Sequence, residues 1–334
     1  MKRHGYFFPQ LCDFGHLLAA FRRALRGSGH SHEAQRFFFE LEPQLLALQR
    51  GLQDGSYQPQ PYRYFRIRDP KARIISVAPF VDRVVHHAIV ALLEPIYEPA
   101  FIHDSYATRK GKGQHQAILQ AQRFLQRERW FLKADVDQYF ASIEHDRLMA
   151  LLARKVKDRR FLALTERMIR NGGEDGRGLP IGNLTSQFFA NVYLNPLDHF
   201  VKEELRVRGY LRYMDDFVLF AEDKAALKAH RKAIETFLAE KLALRLKPSA
   251  TLLNQACHGL SYLGARIFRD TIRIHPANLR RSREKLRQQQ KAYGRGRMSE
   301  ERYLACLQSR WAYLSWFDSE GLRREILKKS LGYF

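Results

Sequence analysis

The sequence predicts an α+β fold, in which helices surround small antiparallel sheets. Two kinds of pattern lead to this prediction. Long segments carry apolar residues at spacings of three and four, which is typical of amphipathic helices. Short runs rich in β-branched and aromatic residues are bounded by turn residues, which is typical of hairpins. The most informative run is "LRYMDDFVLF", residues 211–220, because it places the adjacent carboxylates Asp215 and Asp216 in an otherwise apolar strand pattern.

The N-terminal part is predicted to be mainly helical. Residues 11–55 contain two periodic segments, which a Gly-Ser-Gly break at 27–29 separates. Residues 62–80 alternate basic with apolar or aromatic residues around an Asp-Pro step, which predicts a hairpin with a cationic face. The next helix is predicted over 81–97.

The rest of the chain alternates helices with short strands. A basic loop with several glycines opens 105–126 and leads into a helix, which would suit a bound phosphate, although such loops are also common as surface turns. The other predicted elements, in chain order, are a strand and turn at 130–143, a helical region at 146–171, a glycine-rich loop at 172–183, a helix at 184–209, a hairpin at 210–221, a helix at about 223–241, a short hairpin at 259–268 and a basic helical lobe at 277–334.

Net charge is the unusual bulk property of this chain. The 334 residues have an ordinary hydrophobic fraction of 45%, which predicts a folded protein with a substantial core. The formal net charge is +22, and a charge of this size indicates a polyanionic partner, most simply nucleic acid, rather than a merely soluble basic protein. Residues 277–297 carry eight Lys or Arg against one Glu. Such a run can be a plain solvated helix face, but in this context we favour nucleic-acid contact.

Cysteine usage and hydropathy favour a reducing compartment. The three cysteines are far apart and odd in number, so they form no disulfide framework. Cys12 and His16, with two later histidines, fit no ordinary zinc-finger spacing. The N-terminus lacks a signal-peptide pattern, and no stretch approaches the ~20 apolar residues of a membrane span. We therefore expect a soluble cytoplasmic protein with no membrane partner.

The adjacent Asp215 and Asp216 need an explanation, because neighbouring carboxylates repel each other and are costly to bury unpaired. One interpretation is a plain hairpin turn, which Asp tolerates well. The other involves Asp135, which also ends an apolar strand pattern, "FLKADV", before a turn. Three carboxylates converging from adjacent strands would suit hard divalent cations. Two Mg²⁺ ions about 3.5–4 Å apart would then activate a 3′-hydroxyl and steady a leaving pyrophosphate.

Five motifs follow one another across about 60–270. They are "RIRDPKARII", "FLKADVDQYFASI", "GLPIGNLTSQFFANVYL", "RYMDDF" and "LSYLGARI". In this order they resemble the fingers hairpin, the first carboxylate motif, the second motif, the Tyr-x-Asp-Asp hairpin and the primer-grip hairpin of reverse transcriptases. The resemblance implies an RNA-directed DNA polymerase with a right-hand fold. Such a fold has fingers, a palm with a small antiparallel sheet, and a helical thumb.

The same resemblance implies a domain organisation and a cellular setting. The expected parts are an N-terminal helical extension at 1–60, fingers at 61–130, a palm at 131–270 and a basic helical thumb at 271–334. Fingers elements are interleaved with the palm around 146–183. The chain is expected to be cytoplasmic and encoded by a bacterium or a phage, and its implied partners are dNTPs, a template RNA, and the primer and cDNA.

The resemblance also assigns roles to residues. Asp135, Asp215 and Asp216 are implied to be catalytic and to hold two Mg²⁺ ions, which Mn²⁺ can replace, with help from the backbone carbonyl of Val136. Phe140 is implied to be a steric gate that favours dNTPs by occupying the space of a ribose 2′-OH. The remaining implied contacts are Lys71, Arg73, Ile181 and Gly182 for the nucleotide, and Tyr213, Met214, Ser186, Gln187, Leu263 and Gly264 for primer and template.

The second motif narrows the resemblance to one subfamily. Retroviral and intron-encoded enzymes usually read Gln-Gly there, followed later by Ser-Pro, whereas this chain has Ile181-Gly182 followed by Ser186-Gln187. This sequence resembles the second motif of the reverse transcriptases of diversity-generating retroelements. Those enzymes make error-prone cDNA and act with a small basic accessory protein. Isoleucine can only pack where glutamine can hydrogen-bond, so Ile181 is expected to loosen fidelity.

Two other interpretations remain open on the sequence. A group II intron-like or phage-defence reverse transcriptase would share the same core motifs. A degenerate polymerase fold could also serve as an RNA-binding scaffold without catalysis. The joint presence of three carboxylates, Phe140 and Arg73 favours an enzyme over a scaffold, because a scaffold does not need them together.

Overall fold

A computed structural model describes residues 3–29, 31–68 and 72–331 of the chain. Its N-terminal part is helical, as predicted for residues 11–55. The helices there are α1 (Phe7–Leu11), α2 (Phe14–Leu25), α3 (His32–Phe39) and α4 (Leu41–Asp54). Asp13 and Ser31 cap the starts of α2 and α3, since each side chain accepts a hydrogen bond from the backbone N–H three residues later.

A hairpin and a long buried helix come next. Strands β1 (Arg63–Ile67) and β2 (Arg73–Val77) pair antiparallel, which confirms the hairpin predicted within 62–80. The predicted Asp-Pro turn, at 69–70, lies outside the described residues. Helix α5 (Phe80–Tyr97) packs against α2 along a row of buried aliphatic residues.

The following segment places the first strand of the central sheet. It comprises α6 (Gln114–Arg127), β3 (Trp130–Asp135), α7 (Tyr139–Ser142), α8 (His145–Ala153) and α9 (Arg159–Arg170). The helical region predicted at 146–171 is therefore divided. The division falls where Asp158 caps α9 by accepting a hydrogen bond from the backbone N–H of Phe161.

The helix predicted over 184–209 is shorter than expected. Helix α10 (Leu184–His199) continues into a π-helical turn, Phe200–Glu204, and then ends. Pro196 lies inside α10 and has no N–H to donate, which weakens the helical ladder near its end. The prediction was wrong at this boundary because residue 209 already begins a strand.

The central sheet is antiparallel and contains the apolar run at residues 211–220. Its other strands are β4 (Gly209–Tyr213), β5 (Asp216–Ala221) and β6 (Leu252–Gln255), and its order is β4-β5-β3-β6. The hairpin predicted at 210–221 is confirmed by the β4–β5 pairing. Strand β6 was not predicted, since it is a short edge strand that begins with the exposed Leu252.

A second, smaller sheet follows helix α11 (Lys224–Leu242), which agrees with the helix predicted at about 223–241. Strands β7 (Leu260–Tyr262) and β8 (Ala265–Ile267) form the hairpin predicted within 259–268. Strand β9 (Ile272–Ile274) adds to β8 and was not predicted, because it lies outside the motif at 259–268 that indicated the hairpin.

The C-terminal part is helical, as the sequence predicts. It comprises α12 (Pro276–Gly294), α13 (Glu300–Ser315) and α14 (Glu320–Leu331). Trp316, just after α13, stacks on His115 of α6 with ring centroids 4.1 Å apart, so this part rests on the rest of the molecule. Among the described residues, no helix is both long and apolar enough to cross a membrane.

Both faces of the central sheet are covered by hydrophobic core. Alternate side chains of its strands point to opposite faces. Leu132, Phe217 and Leu219 belong to a core shared with α5 and α10. Phe131, Val218 and Phe220 belong to a second core, shared with α6 and the smaller sheet. Because both faces are buried, the strands are almost continuously apolar, and polar groups collect at the end of β3 and in the β4–β5 turn.

Candidate active site

The β4–β5 turn brings the predicted carboxylates together. Tyr213 pairs with Asp216, so Met214 and Asp215 alone form the loop of the hairpin. Met214 adopts a left-handed backbone conformation with φ of 58°. Asp135, the last residue of β3, lies opposite Asp216 in the antiparallel register. The backbone N–H of Val136 donates to the carbonyl of Asp215 at 3.3 Å, which fixes the end of β3 against the turn.

Burial and mutual repulsion raise the pKa values of the turn carboxyls. The pKa of Asp215 rises to about 6, first because of burial and then because of the charge of Asp135, although Arg73 and Arg212 oppose the shift. The pKa of Asp216 rises to about 7, mainly because of burial, and the positive charge of Lys133 opposes that shift. The site thus stores negative charge that is poorly neutralised in the protein alone.

The donor set suits a hard divalent cation, although the three carboxylates do not form one cage. Within the residues that the structure describes, no group of three or more His, Cys, Asp or Glu side chains is arranged to hold a metal ion. Asp216 is ion-paired, its Oδ2 lying 3.3 Å from Lys133 Nζ, while its Oδ1 is buried without a hydrogen-bond partner. Carboxylate oxygens with raised pKa values and an unpartnered buried oxygen fit Mg²⁺, which takes oxygen ligands.

A buried ion pair between Arg212 and Asp198 stabilises the β4–β5 turn. The side chain of Arg212 is completely buried and donates to both carboxylate oxygens of Asp198 in α10, at 2.7 and 2.6 Å. Its Nη1 also donates to the carbonyl of Met214 at 2.9 Å and to Asn191 Oδ1 at 3.1 Å. Burial alone would lower the pKa of Arg212, but the charge of Asp198 outweighs it, so the guanidinium stays charged.

A cleft of about 600 Å³ lies between the β1–β2 hairpin and the loop before α10. Phe140 and Ile181, predicted as nucleotide contacts, both line it. The loop is fastened to β2, because Ser76 N–H donates to the carbonyl of Ile181 at 2.8 Å. Gly182 has φ of 114°, and a Cβ there would lie 2.9 Å from the side chain of Ile75, so the close approach requires glycine.

The predicted phosphate-binding cations lie on the same hairpin. Arg73 begins β2, is exposed, and is close enough to Asp215 to lower its pKa. Lys71, the second predicted cation, lies outside the described residues. The structure therefore places Arg73 near Asp215, on the hairpin whose other residues line the cleft.

The residues predicted to contact primer and template lie in different settings. Tyr213 and Met214 are partly exposed beside the carboxylates. Leu263 and Gly264 form the loop of the β7–β8 hairpin, with φ values of 47° and 78°. The remaining two lie in the first turn of α10, where Gln187 is partly exposed but Ser186 is only 2% exposed and cannot offer its side chain to a ligand in this structure.

Sequence reasoning missed Lys133, Asp198 and Arg212. Arg212 interrupts an apolar strand run, and a lone buried cation signals a buried partner. Lys133 lies two residues before Asp135, so strand alternation places both on one face. The sequence holds no comparable signal for Asp198, because its pairing with Arg212 depends on how α10 packs beneath the sheet.

The central antiparallel sheet carries one aspartate on β3 and two more at the neighbouring β4–β5 hairpin. Together with the cleft lined by the basic β1–β2 hairpin, this arrangement defines a nucleotide polymerase of the right-hand class. Residues 67–267 match the family described as reverse transcriptase (RNA-dependent DNA polymerase). The chain belongs to this family, and its enzyme class is that of the RNA-directed DNA polymerases.

Several known proteins are similar to the chain. Protein YkfC of Escherichia coli is 29% identical over 275 residues, which cover 69% of this chain and 72% of that protein. The group II intron-encoded protein LtrA of Lactococcus lactis subsp. cremoris is 31% identical over 170 residues, or 48% of this chain and 28% of LtrA. The second of these relatives is encoded by a group II intron, and the chain spans less than a third of its length.

The likeness to solved structures concerns the fold alone. A telomerase from Candida tropicalis in complex with a TWJ fragment of telomeric RNA superposes with a TM-score of 0.50 at 12% identity. The match covers 82% of this chain and 55% of the telomerase chain. It agrees with the right-hand polymerase fold that the sequence predicts, whose domain boundaries remain predictions.

Replacing Arg212 with Met should lower the free energy of unfolding by about 3–5 kcal/mol, because it leaves Asp198 buried without a counterion. Urea unfolding measures the change. Arg231→Met, which removes the exposed Arg231–Glu235 pair of α11, is the control and should cost no more than about 0.5 kcal/mol. A loss below about 1 kcal/mol for Arg212→Met would contradict the structural role of the pair.

Replacing Asp215 with Asn should stabilise the metal-free protein at pH 8. The pKa of Asp215 rises from 3.8 to about 6 on folding, so its ionised form opposes folding above that pH by on the order of 2–3 kcal/mol. The gain from Asp215→Asn should shrink as the pH falls below about 6 and vanish near pH ~3, where the carboxyl is protonated in both states. Urea unfolding in EDTA at both pH values measures it, with the exposed Asp146→Asn as control. A gain that does not depend on pH would refute the assignment.

Proposed function

We propose that this polymerase is the error-prone reverse transcriptase of a diversity-generating retroelement, which copies a structured template RNA into cDNA. The observation that carries the polymerase chemistry is the grouping of the partly buried Asp135, Asp215 and Asp216 at the end of the central sheet. The observation that carries the subtype is Ile181, an apolar residue on the wall of the cleft between the β1–β2 hairpin and the loop before α10. We also propose a cytoplasmic site of action.

The chain's own residues can perform most of the positioning that nucleotidyl transfer needs. Asp135 and Asp215 would hold the divalent cations, with Asp216 and the backbone at Val136 beside them. Bound Mg²⁺ would supply Lewis-acid activation of the primer 3′-hydroxyl and stabilise charge on the leaving pyrophosphate. Arg73 would bind the triphosphate from the fingers side, where its planar guanidinium suits phosphate oxygens. Phe140 would exclude a ribose 2′-OH from the cleft.

Ile181 supports the proposal of low fidelity because its side chain is apolar. Its backbone carbonyl is already occupied by Ser76, and its side chain has no hydrogen-bonding atom to offer the nascent base pair. A site that forms no hydrogen bond to the base pair distinguishes correct from incorrect nucleotides mainly by packing. This selection is weaker than that of a site whose polar groups lose their hydrogen bonds when a mismatched nucleotide binds.

Nucleic acid is the partner that the charge favours. A protein with a net charge of +22 would bind a long RNA mainly through the RNA phosphates. Its affinity would fall steeply as the salt concentration is raised. We also propose that a small basic accessory protein of the retroelement acts with the enzyme. Two basic proteins would then share one RNA as their common anionic partner.

The second candidate function is that of a group II intron-type reverse transcriptase. The observation that favours it is the 31% identity to the intron-encoded protein LtrA over 170 residues. Under this interpretation the enzyme copies intron RNA, and Ile181 is a neutral variation. The third interpretation, a phage-defence enzyme, shares the same chemistry but has no observation of its own.

Primer extension tests the polymerase activity. The full chain should extend oligo(dT) on poly(rA) with dTTP and Mg²⁺, and Asp215→Ala should abolish extension by at least about a thousandfold, because electrostatic and metal contributions of this kind are worth several kcal/mol. Asp146→Asn, an exposed carboxylate on α8, is the control and should keep full activity. Extension that survives Asp215→Ala would refute the mechanism.

Substituting Ile181 tests the proposed subtype. Ile181→Gln should lower misincorporation opposite template adenine by about tenfold, a gain of about 1.4 kcal/mol in discrimination. Sequencing of cDNA copied from a defined RNA measures the error spectrum. Leu252→Gln, at the exposed edge of the central sheet, controls for the chemical change. If wild type copies adenine accurately, the intron-type function is favoured; if the spectrum is unchanged by Ile181→Gln, Ile181 does not set fidelity.

A further inference from the structure

Lys133 is the cation nearest to Asp216 among the contacts in the described part of the chain. It lies on β3, two residues before Asp135 and on the same face of the sheet. Its Nζ lies 3.3 Å from Asp216 Oδ2 and donates to the carbonyl of Ser261 in β7 at 3.2 Å. Its side chain is 23% exposed, and Nζ lies 5.8 Å from the centre of the Tyr262 ring. The ammonium group is thus held among fixed partners.

The same aspartate has a second link to the β7–β8 hairpin. The Tyr262 hydroxyl donates to the backbone carbonyl of Asp216 at 3.2 Å. Lys133 links the Asp216 carboxylate to the backbone carbonyl of Ser261. The adjacent β7 residues Ser261 and Tyr262 are therefore both connected to Asp216. The hairpin whose loop is predicted to hold the primer is therefore fixed to the turn that carries the carboxylates.

The Lys133–Asp216 ion pair reduces the negative charge that attracts divalent cations to the site. The ammonium group of Lys133 offsets the negative charge of the Asp216 carboxylate. A divalent cation near Asp216 would also be repelled by an ammonium group a few ångströms away, in a partly buried setting where such repulsion is strong. Phosphate groups of an incoming nucleotide would restore the missing negative charge.

We propose that Lys133 is a positioning residue and a built-in counterion, which neutralises Asp216 and leaves Asp135 and Asp215 as the pair that binds divalent cations. The inference rests on the proposed polymerase function, since it presumes that the carboxylates bind metal.

Direct metal binding tests the inference without activity of the enzyme. The full chain is titrated with Mn²⁺ at pH 8.5 without nucleotide, and free Mn²⁺ is followed by electron paramagnetic resonance. Lys133→Met should tighten Mn²⁺ binding at least about tenfold, because it removes a positive charge beside the carboxylates. Lys133→Arg keeps the charge and should stay within about threefold of wild type. Lys224→Met, which removes a lysine that packs on Trp130 of the same strand but lies away from the carboxylates, should change nothing.

The direction of the change separates this role from a structural one. A lysine that only held the site in shape would, on removal, disorder the carboxylates and weaken Mn²⁺ binding. Unchanged or weaker binding by Lys133→Met therefore overturns the inference. If Lys133→Met does not fold, Lys133→Gln, which can still donate to Ser261, gives the same test with the same expected tightening.

Failure of the underlying function gives a different result. Asp215→Asn should reduce Mn²⁺ binding at least about tenfold, because it removes one of the two proposed ligands. If wild type does not bind Mn²⁺, or if Asp215→Asn binds it as tightly as wild type, the metal site itself fails. If Asp215→Asn weakens binding but Lys133→Met does not tighten it, only the role of Lys133 fails.

Discussion

The buried pair of Arg212 and Asp198 is the interaction on which the β4–β5 turn depends. A guanidinium that donates to a carboxylate, an amide oxygen and a backbone carbonyl at once can adopt a single orientation. It joins the β4–β5 turn to α10, and α10 follows the loop that lines the nucleotide cleft. The position of the carboxylates and the position of the cleft wall are therefore set by the same helix. Removing either charge would leave the other unpaired in the core, which is strongly destabilising.

The arrangement also explains where charge is tolerated in the central sheet. Both faces are covered by apolar core, so a charged side chain there needs a partner of opposite sign. Arg212 has Asp198, and Asp216 has Lys133. Asp215 retains a raised pKa in the protein alone. The charge left uncompensated by protein groups is thus concentrated at the end of the sheet, where a cation can approach.

Much of this architecture follows from sequence because its signals are local. Helical periodicity, the β4–β5 hairpin and the β7–β8 hairpin each depend on neighbouring residues, and they were predicted. Strand β6 is too short to show alternation, strand β9 lies outside the motif at 259–268, and the end of α10 depends on a π-helical turn. The sequence motifs predicted that Asp135 and Asp215 lie close together. The ion pair between Lys133 and Asp216 could not be predicted in this way, because it depends on side-chain geometry across strands. The low-fidelity role of Ile181 rests on the family resemblance and remains a proposal.

The loop of the β7–β8 hairpin has a mechanical consequence. Its carbonyls accept hydrogen bonds from Gln114 of α6 and from His275 and Asn278 at the start of α12. A Cβ on Gly264 would lie 2.6 Å from Asn278 Nδ2, so there is no free space at this joint. Any displacement of the start of α12 relative to the smaller sheet must therefore break these hydrogen bonds or carry the loop with it.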